Sequence, residues 1–111
     1  MFTQQIIVEY LGTNFVGWQI QKNGLSVQEV LEKVLSKFLK EKIKVIGSGR
    51  TDSGVHASEQ SAHFKTKYKI NDKNIFINSV LFILSFIFKR FFVNIDIICF
   101  IELKSISVLG L

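Results

Sequence analysis

An arginine and an aspartate, Arg50 and Asp52, flank Thr51 in the stretch Gly47-Ser48-Gly49-Arg50-Thr51-Asp52-Ser53-Gly54-Val55-His56-Ala57. Asp52 is the only acid between Glu41 and Glu59. As a carboxylate it can serve as a nucleophile or as a general base. The planar guanidinium of Arg50 can bind a phosphate or stack on a base. The plainer alternative is an Arg–Asp ion pair that only stabilises the loop, worth about 0–1 kcal/mol if exposed. The two roles are compatible. His56 suits a loop-orienting hydrogen bond better than proton transfer. Three of the seven glycines fall in this stretch, and no aliphatic run does. Glycine opens φ > 0 and close backbone approach. Clustered Gly, Ser, Thr and Asp between apolar segments read as a loop. A charged loop held by regular elements is a common place for binding or catalysis.

Regular elements must hold that loop. Gln5 to Tyr10 is β-branched and aromatic and predicts a first strand. Leu11 to Asn14 breaks it. Ser26-Val27-Gln28-Glu29 has the Ser-x-x-Glu form of a capping box. It opens a helix predicted over residues 26–40, because Val27, Val30, Leu31, Val34, Leu35 and Phe38 recur on one face. Lys33, Lys37 and Lys40 lie mostly off that stripe and read as a solvated face rather than a nucleic-acid contact row. Ile43 to Ile46 alternates and predicts a second strand feeding the loop, which places Asp52 near a strand end. Glu59 to Lys65 alternates again and predicts a third strand, with His63 on its surface. Lys65, Lys67 and Lys69 can neutralise phosphates, or they mark a solvated strand edge. Asn71 or Asp72 can cap a second helix reaching about Leu84. Phe91 to Ile101 is a candidate strand, and Ser105 to Leu111 shows no recognisable element. Strand, helix, strand, strand, helix predicts an α+β fold, an antiparallel sheet layered with helices.

The bulk numbers bound the rest. A chain of 111 residues allows one domain or a piece of a larger one. A net charge of +5 and a pI of about 9.5 favour an anionic partner without naming it. The single cysteine, Cys99, excludes an internal disulfide and a Cys-based metal site, and fits a cytoplasmic protein. Met1 to Tyr10 lacks the basic start and apolar core of a secretory signal. Ile75 to Phe88 is the most lipid-like run. It falls short of the roughly 20 apolar residues a membrane span needs.

The ordered string Gly49-Arg50-Thr51-Asp52-Ser53-Gly54-Val55-His56-Ala57 closely resembles the signature of tRNA pseudouridine synthases of the TruA type, with Ser53 where that family has Ala. Upstream, Tyr10, Gly12, Phe15, Gly17, Trp18 and Gln19 match a second family landmark, with Leu11 where the family usually has Asp. A missing carboxylate at Leu11 is expected to weaken that loop or its contact with the active-site loop. Trp18 is read either as a packed aromatic with its N–H bonded nearby or as a direct RNA contact.

The resemblance implies an antiparallel sheet domain with helices packed on one face, paired in family members with a related second domain across a cleft. It implies isomerisation of uridine to pseudouridine in the anticodon stem-loop of tRNA. Asp52 is then the catalytic aspartate, and Arg50, Thr51 and His56 take part in binding the RNA and holding the flipped base. No cofactor and no metal are expected, tRNA is the partner, and a family-type homodimer is possible. The resemblance covers residues 1–85. Residues 86–111 read as a divergent apolar tail: Asn78 can match a family Asn, but no Pro follows. The second domain, with the tyrosine that packs on the flipped base, is expected to be absent. The alternative is therefore an inactive remnant, at most a weak RNA-binding module. A third reading, a small membrane-associated protein, rests only on the apolar tail. Asp52 is expected at the mouth of a concave face with Arg50 close by.

Overall fold

A computed structural model describes residues 1–91 and 100–108. Strand β1 (Phe2–Leu11) is followed by a 3-10 turn at Gly12–Asn14 and by helix α1 (Val27–Leu39). Strands β2 (Ile46–Gly47) and β3 (Ala57–Thr66), helix α2 (Lys73–Phe91) and strand β4 (Phe100–Val108) complete the order. The sheet runs β2-β3-β1-β4 and every pairing is antiparallel. The protein is thus α+β, as its alternating pattern predicts.

Alternation sorts the sheet into two faces. Ile6, Val8 and Tyr10 of β1 and Ala62 and Phe64 of β3 are buried. They meet Val27, Val30, Leu31, Val34 and Leu35 of α1 and Phe76, Val80 and Leu84 of α2 in one core. Burying such side chains contributes roughly 1.5–3 kcal/mol each. Phe38, at the margin of the α1 stripe, meets Phe76 edge-on at 5.3 Å. Gln5, Ile7, His63 and Lys65 take the intervening positions and lie on the other face.

The start of α1 carries the N-cap half of the capping box, while the Glu29 carboxylate turns to Lys33 at 3.3 Å. Ser26 Oγ accepts from the Glu29 N–H at 3.1 Å. The preceding N–H groups, of Val27 and Gln28, donate to the carbonyls of Gly17 and Trp18. These bonds satisfy donors that a helix leaves open at its N-terminus. Ser26→Ala is expected to lower unfolding free energy by about 1 kcal/mol, measured by urea denaturation. No change in the midpoint would show that the cap is dispensable. The helix stops at Leu39 because Lys40 turns left-handed, with φ 53°.

The second strand is shorter than the alternation of residues 43–46 predicts. Ile43 and Val45 point inward and Lys44 and Ile46 outward, but ladder pairing begins only at Ile46. Side chains of α1 occupy the backbone groups that a neighbouring strand would have used. Ser36 Oγ accepts from Ile43 N–H, Glu32 Oε2 accepts from Val45 N–H, and Gln28 Nε2 donates to Val45 C=O. Residues 28, 32 and 36 fall at i, i+4 and i+8, one polar row along the helix.

Two further differences concern the second half. Helix α2 starts where expected, with Asp72 Oδ1 accepting from Ile75 N–H. It runs beyond Leu84 to Phe91. Most of the candidate strand Phe91 to Ile101 lies outside the described residues. A strand is present at Phe100–Val108, so residues 105–108 are strand rather than featureless. Ile101, Leu103 and Ile106 are buried. A register shift between Ile7 and Val8 lets β4 bury Leu103 and then Ile106, breaking the strict alternation a sequence pattern detects. No helix among the described residues is long and apolar enough to cross a membrane.

Candidate active site

The loop between β2 and β3 carries Arg50, Thr51, Asp52 and His56, and the turn after β1 holds it down. Asp52 C=O accepts from Val55 N–H at 3.1 Å, closing a four-residue turn. Gly54 is its third residue, with φ +79°, as a type II turn demands. Ser53 keeps a negative φ at the second position, so Ser suits this turn as well as a smaller residue does. Ser53 Oγ and the Gly54 N–H both donate to Phe15 C=O, at 3.3 and 3.2 Å.

Two glycines let the backbones meet. A Cβ on Gly12 would fall on the Val55 carbonyl, and a Cβ on Gly17 would fall on the Thr51 carbonyl. Gly17 also has φ +108°, a conformation L side chains rarely adopt. The close approach is then fixed by polar contacts. Gly12 N–H donates to His56 Nδ1 at 2.8 Å. Trp18 N–H donates to Thr51 C=O at 3.1 Å. Tyr10 Oη and Thr51 Oγ1 share a hydrogen bond of 2.7 Å. A continuous line of backbone bonds therefore runs from the N-terminus of α1 through Trp18 to Thr51. Burial raises the Tyr10 phenol above its ordinary pKa, and the Thr51 bond partly offsets that. Tyr10 is therefore a neutral hydroxyl through the physiological range.

The four sequence-predicted residues take different places. Asp52 is exposed, and its carboxylate takes no hydrogen bond or ion pair among the described residues. The alternative of a loop-stabilising Arg50–Asp52 ion pair is not formed among the described residues, so the two charges are separately available. Arg50 is exposed and lines a hollow of about 130 Å³ with Trp18, Gln28, Ile46 and Gly47. Asp52 lies outside that lining. Thr51 is half-buried and faces inward to Tyr10, and His56 spends Nδ1 on Gly12, which leaves its ring proton on Nε2. Trp18 is 2% exposed and packs beside Tyr10 with ring centres 6.4 Å apart. Its indole edge also abuts Gly47. That burial assigns it to packing and leaves no free ring face for a base. Leu11 is partly exposed at the end of β1, and its neighbours Tyr10 and Gly12 make the loop contacts without a carboxylate there.

Other supports carry no sequence signal of their own. Gln60 Nε2 donates to Gly49 C=O at 3.1 Å. Ser48 N–H donates to Ser61 C=O at 2.9 Å. Such polar residues are common on strands, and only their three-dimensional register reveals the contact. The arrangement holds a carboxylate without a partner on a turn tied at both flanks, two residues along the chain from a guanidinium that forms no ion pair among the described residues.

A profile of the tRNA pseudouridine synthase family matches residues 6–76. The chain is 58% identical over 80 residues to tRNA pseudouridine synthase A of Pelagibacter ubique strain HTCC1062. That match covers 72% of this chain and 32% of the relative. It is 53% identical over 78 residues to the enzyme of the same name from Thermoanaerobacter sp. strain X514, covering 68% and 32%. With Bacteroides thetaiotaomicron tRNA pseudouridine synthase A the identity is 63% over 59 residues, 53% of this chain and 22% of the relative. The chain thus spans about a third of the length of the first two relatives. The family match takes in β1 from Ile6 onward, the Gly12–Trp18 turn, α1 and the whole Asp52 loop, and by it the chain belongs to the tRNA pseudouridine synthase family.

Proposed function

We propose that residues 1–85 supply the catalytic wall of a tRNA pseudouridine synthase, with Asp52 as the catalytic carboxylate. The reaction breaks the bond between uracil N1 and ribose C1′, turns the base, and joins C1′ to C5. C5 then loses a proton and N1 gains one. Nothing is oxidised, and no external group donor is consumed. Asp52 is the acid placed to act on the ribose or the base, as nucleophile or as base. The target uridine must leave its stack, at a cost on the order of a few kcal/mol. Arg50 stabilises the extruded state through phosphate or base contact. Thr51 and His56 serve the RNA by fixing the turn that presents Asp52. The observation that carries this function is the exposed, unpaired Asp52 carboxylate on a turn clamped through Gly12, Gly17 and Tyr10.

The test is a graft. Residues 1–85 replace the matching N-terminal part of the Pelagibacter ubique synthase, and pseudouridine is measured in unmodified tRNA by mass spectrometry. The graft is expected to be active, and Asp52→Ala within it to lose activity by at least about 10³-fold, the scale of removing a residue that acts in the transition state. A folded graft without activity would favour the inactive remnant. Full activity in Asp52→Ala would remove Asp52 from the chemistry.

A further inference from the structure

The outer edge of the sheet carries a second concave surface that joins the Arg50 hollow. It has a volume of about 330 Å³, and Lys42, Lys44, Ile46, His63 and Lys65 contribute to its lining. Ile46 is common to both hollows, so they meet at β2. β2 is the edge strand on this side. The three lysines are exposed, and among the described residues none of them forms an ion pair. Among the described residues, no acid contributes to either lining. Ile46 is 56% exposed between the cations, giving an apolar rest against which a sugar can pack.

This placement follows from the chain's local pattern. Ile43 and Val45 enter the core, so Lys42 and Lys44 must point outward beside them. On β3 the alternation that buries Phe64 turns His63 and Lys65 to the open face. Ile46 pairs with His63 and brings the two sets together. Lys67 and Lys69, which continue the basic row in sequence, lie outside this lining. Space thus selects Lys65 from that row and adds two lysines distant from it in sequence.

We infer that this groove binds the sugar-phosphate backbone of RNA flanking the target uridine, on a track running from Arg50 over Ile46 to Lys42, Lys44 and Lys65. The inference rests on the RNA-modifying function proposed above. A row of unpaired lysines in a concavity exchanges counterions for phosphates, and each contact steepens the salt dependence of binding. Ile46 and the His63 ring serve the ribose rather than the charge. The groove reads no bases, so its contribution is independent of sequence and fixes the register in which the target reaches Asp52.

Binding of fluorescent unmodified tRNA to the 111-residue chain is measured by anisotropy from low to physiological salt. Wild type is compared with K42Q/K44Q/K65Q and with a charge-matched control on the helices, K33Q/K37Q/K73Q. The groove variant is expected to bind roughly tenfold or more weakly at low salt, and its slope of log K against log salt to be shallower by about two to three. The control should change both much less. Acetylation footprinting should show Lys42, Lys44 and Lys65 protected by tRNA in the wild type and Lys33, Lys37 and Lys73 unprotected. Equal losses in the two triple variants, with no selective protection, would overturn the groove while leaving the RNA-modifying function standing. Absence of wild-type tRNA binding even at low salt would overturn the groove, and the graft would then decide the RNA-modifying function by itself.

Discussion

Incubated with unmodified tRNA, the isolated 111-residue chain is expected to form little or no pseudouridine, although Asp52 is intact. Asp52 is exposed, and its carboxylate is not held by any hydrogen bond among the described residues. An enzyme site gains rate by fixing reacting groups, a contribution of roughly 7–11 kcal/mol where orientation is ideal. Aiming fixed dipoles at developing charge adds to it, each donor worth about 10²–10³ in rate. One exposed wall supplies neither the water exclusion nor the opposing contacts. The expected rate is therefore at least about 10³-fold below that of the grafted synthase, a loss as large as removing one such donor. The assay is pseudouridine content by mass spectrometry, beside an Asp52→Ala control. Robust turnover that this substitution abolishes would show that these residues, alone or as an oligomer, build a complete site. Weak, salt-sensitive tRNA binding is expected to persist in both proteins.

Much of this site was legible because it is local. Nine consecutive residues, Gly49 to Ala57, carry the loop, and the landmark that holds Gly12 and Gly17 lies within ten residues, Tyr10 to Gln19. The α1 helix was equally plain, since a capping box and a 3.6-residue stripe coincide between Ser26 and Phe38. What the pattern missed was decided by partners distant in sequence. Residues 43–45 alternate like a strand, but Gln28, Glu32 and Ser36 claim their backbone groups, so no ladder forms there. Strand β4 escaped because the register shift beside Val8 spoils its alternation. The Arg50–Asp52 pair looked natural from spacing, yet the turn at Asp52–Val55 presents the carboxylate separately from the guanidinium. Leu11 looked like a weakness in the loop contact. The clamp is made on either side of position 11, by the Gly12 N–H and the Tyr10 hydroxyl.

That clamp gives Gly17→Ala a large expected effect on the fold around the site. At φ +108° an alanine is strained whatever the space. An L residue forced into left-handed geometry costs roughly 1–2 kcal/mol. The added methyl would also meet the Thr51 carbonyl, with the Asp52 carbonyl carbon at 3.2 Å and Ser53 N at 3.4 Å. These are backbone atoms, which cannot swing aside as a side-chain tip can. Overpacking of this kind costs typically about 1–3 kcal/mol. The two penalties together predict a loss of about 2–5 kcal/mol in unfolding free energy, unless the loop lifts away to relieve the clash. Either response breaks the Trp18 N–H to Thr51 C=O bond and moves Asp52 relative to Tyr10. Urea denaturation gives the stability, and hydrogen exchange at the Trp18 and Gly12 amides reports the clamp. Loop lifting would leave α1 protected while both amides exchange fast, whereas global destabilisation would speed exchange throughout the core. In the grafted synthase the same variant is expected to lose turnover even where it remains folded, because an error of about 1 Å in a catalytic group can cost 10²-fold. Wild-type stability, slow exchange at both amides and full activity in Gly17→Ala would show that the loop does not depend on this contact.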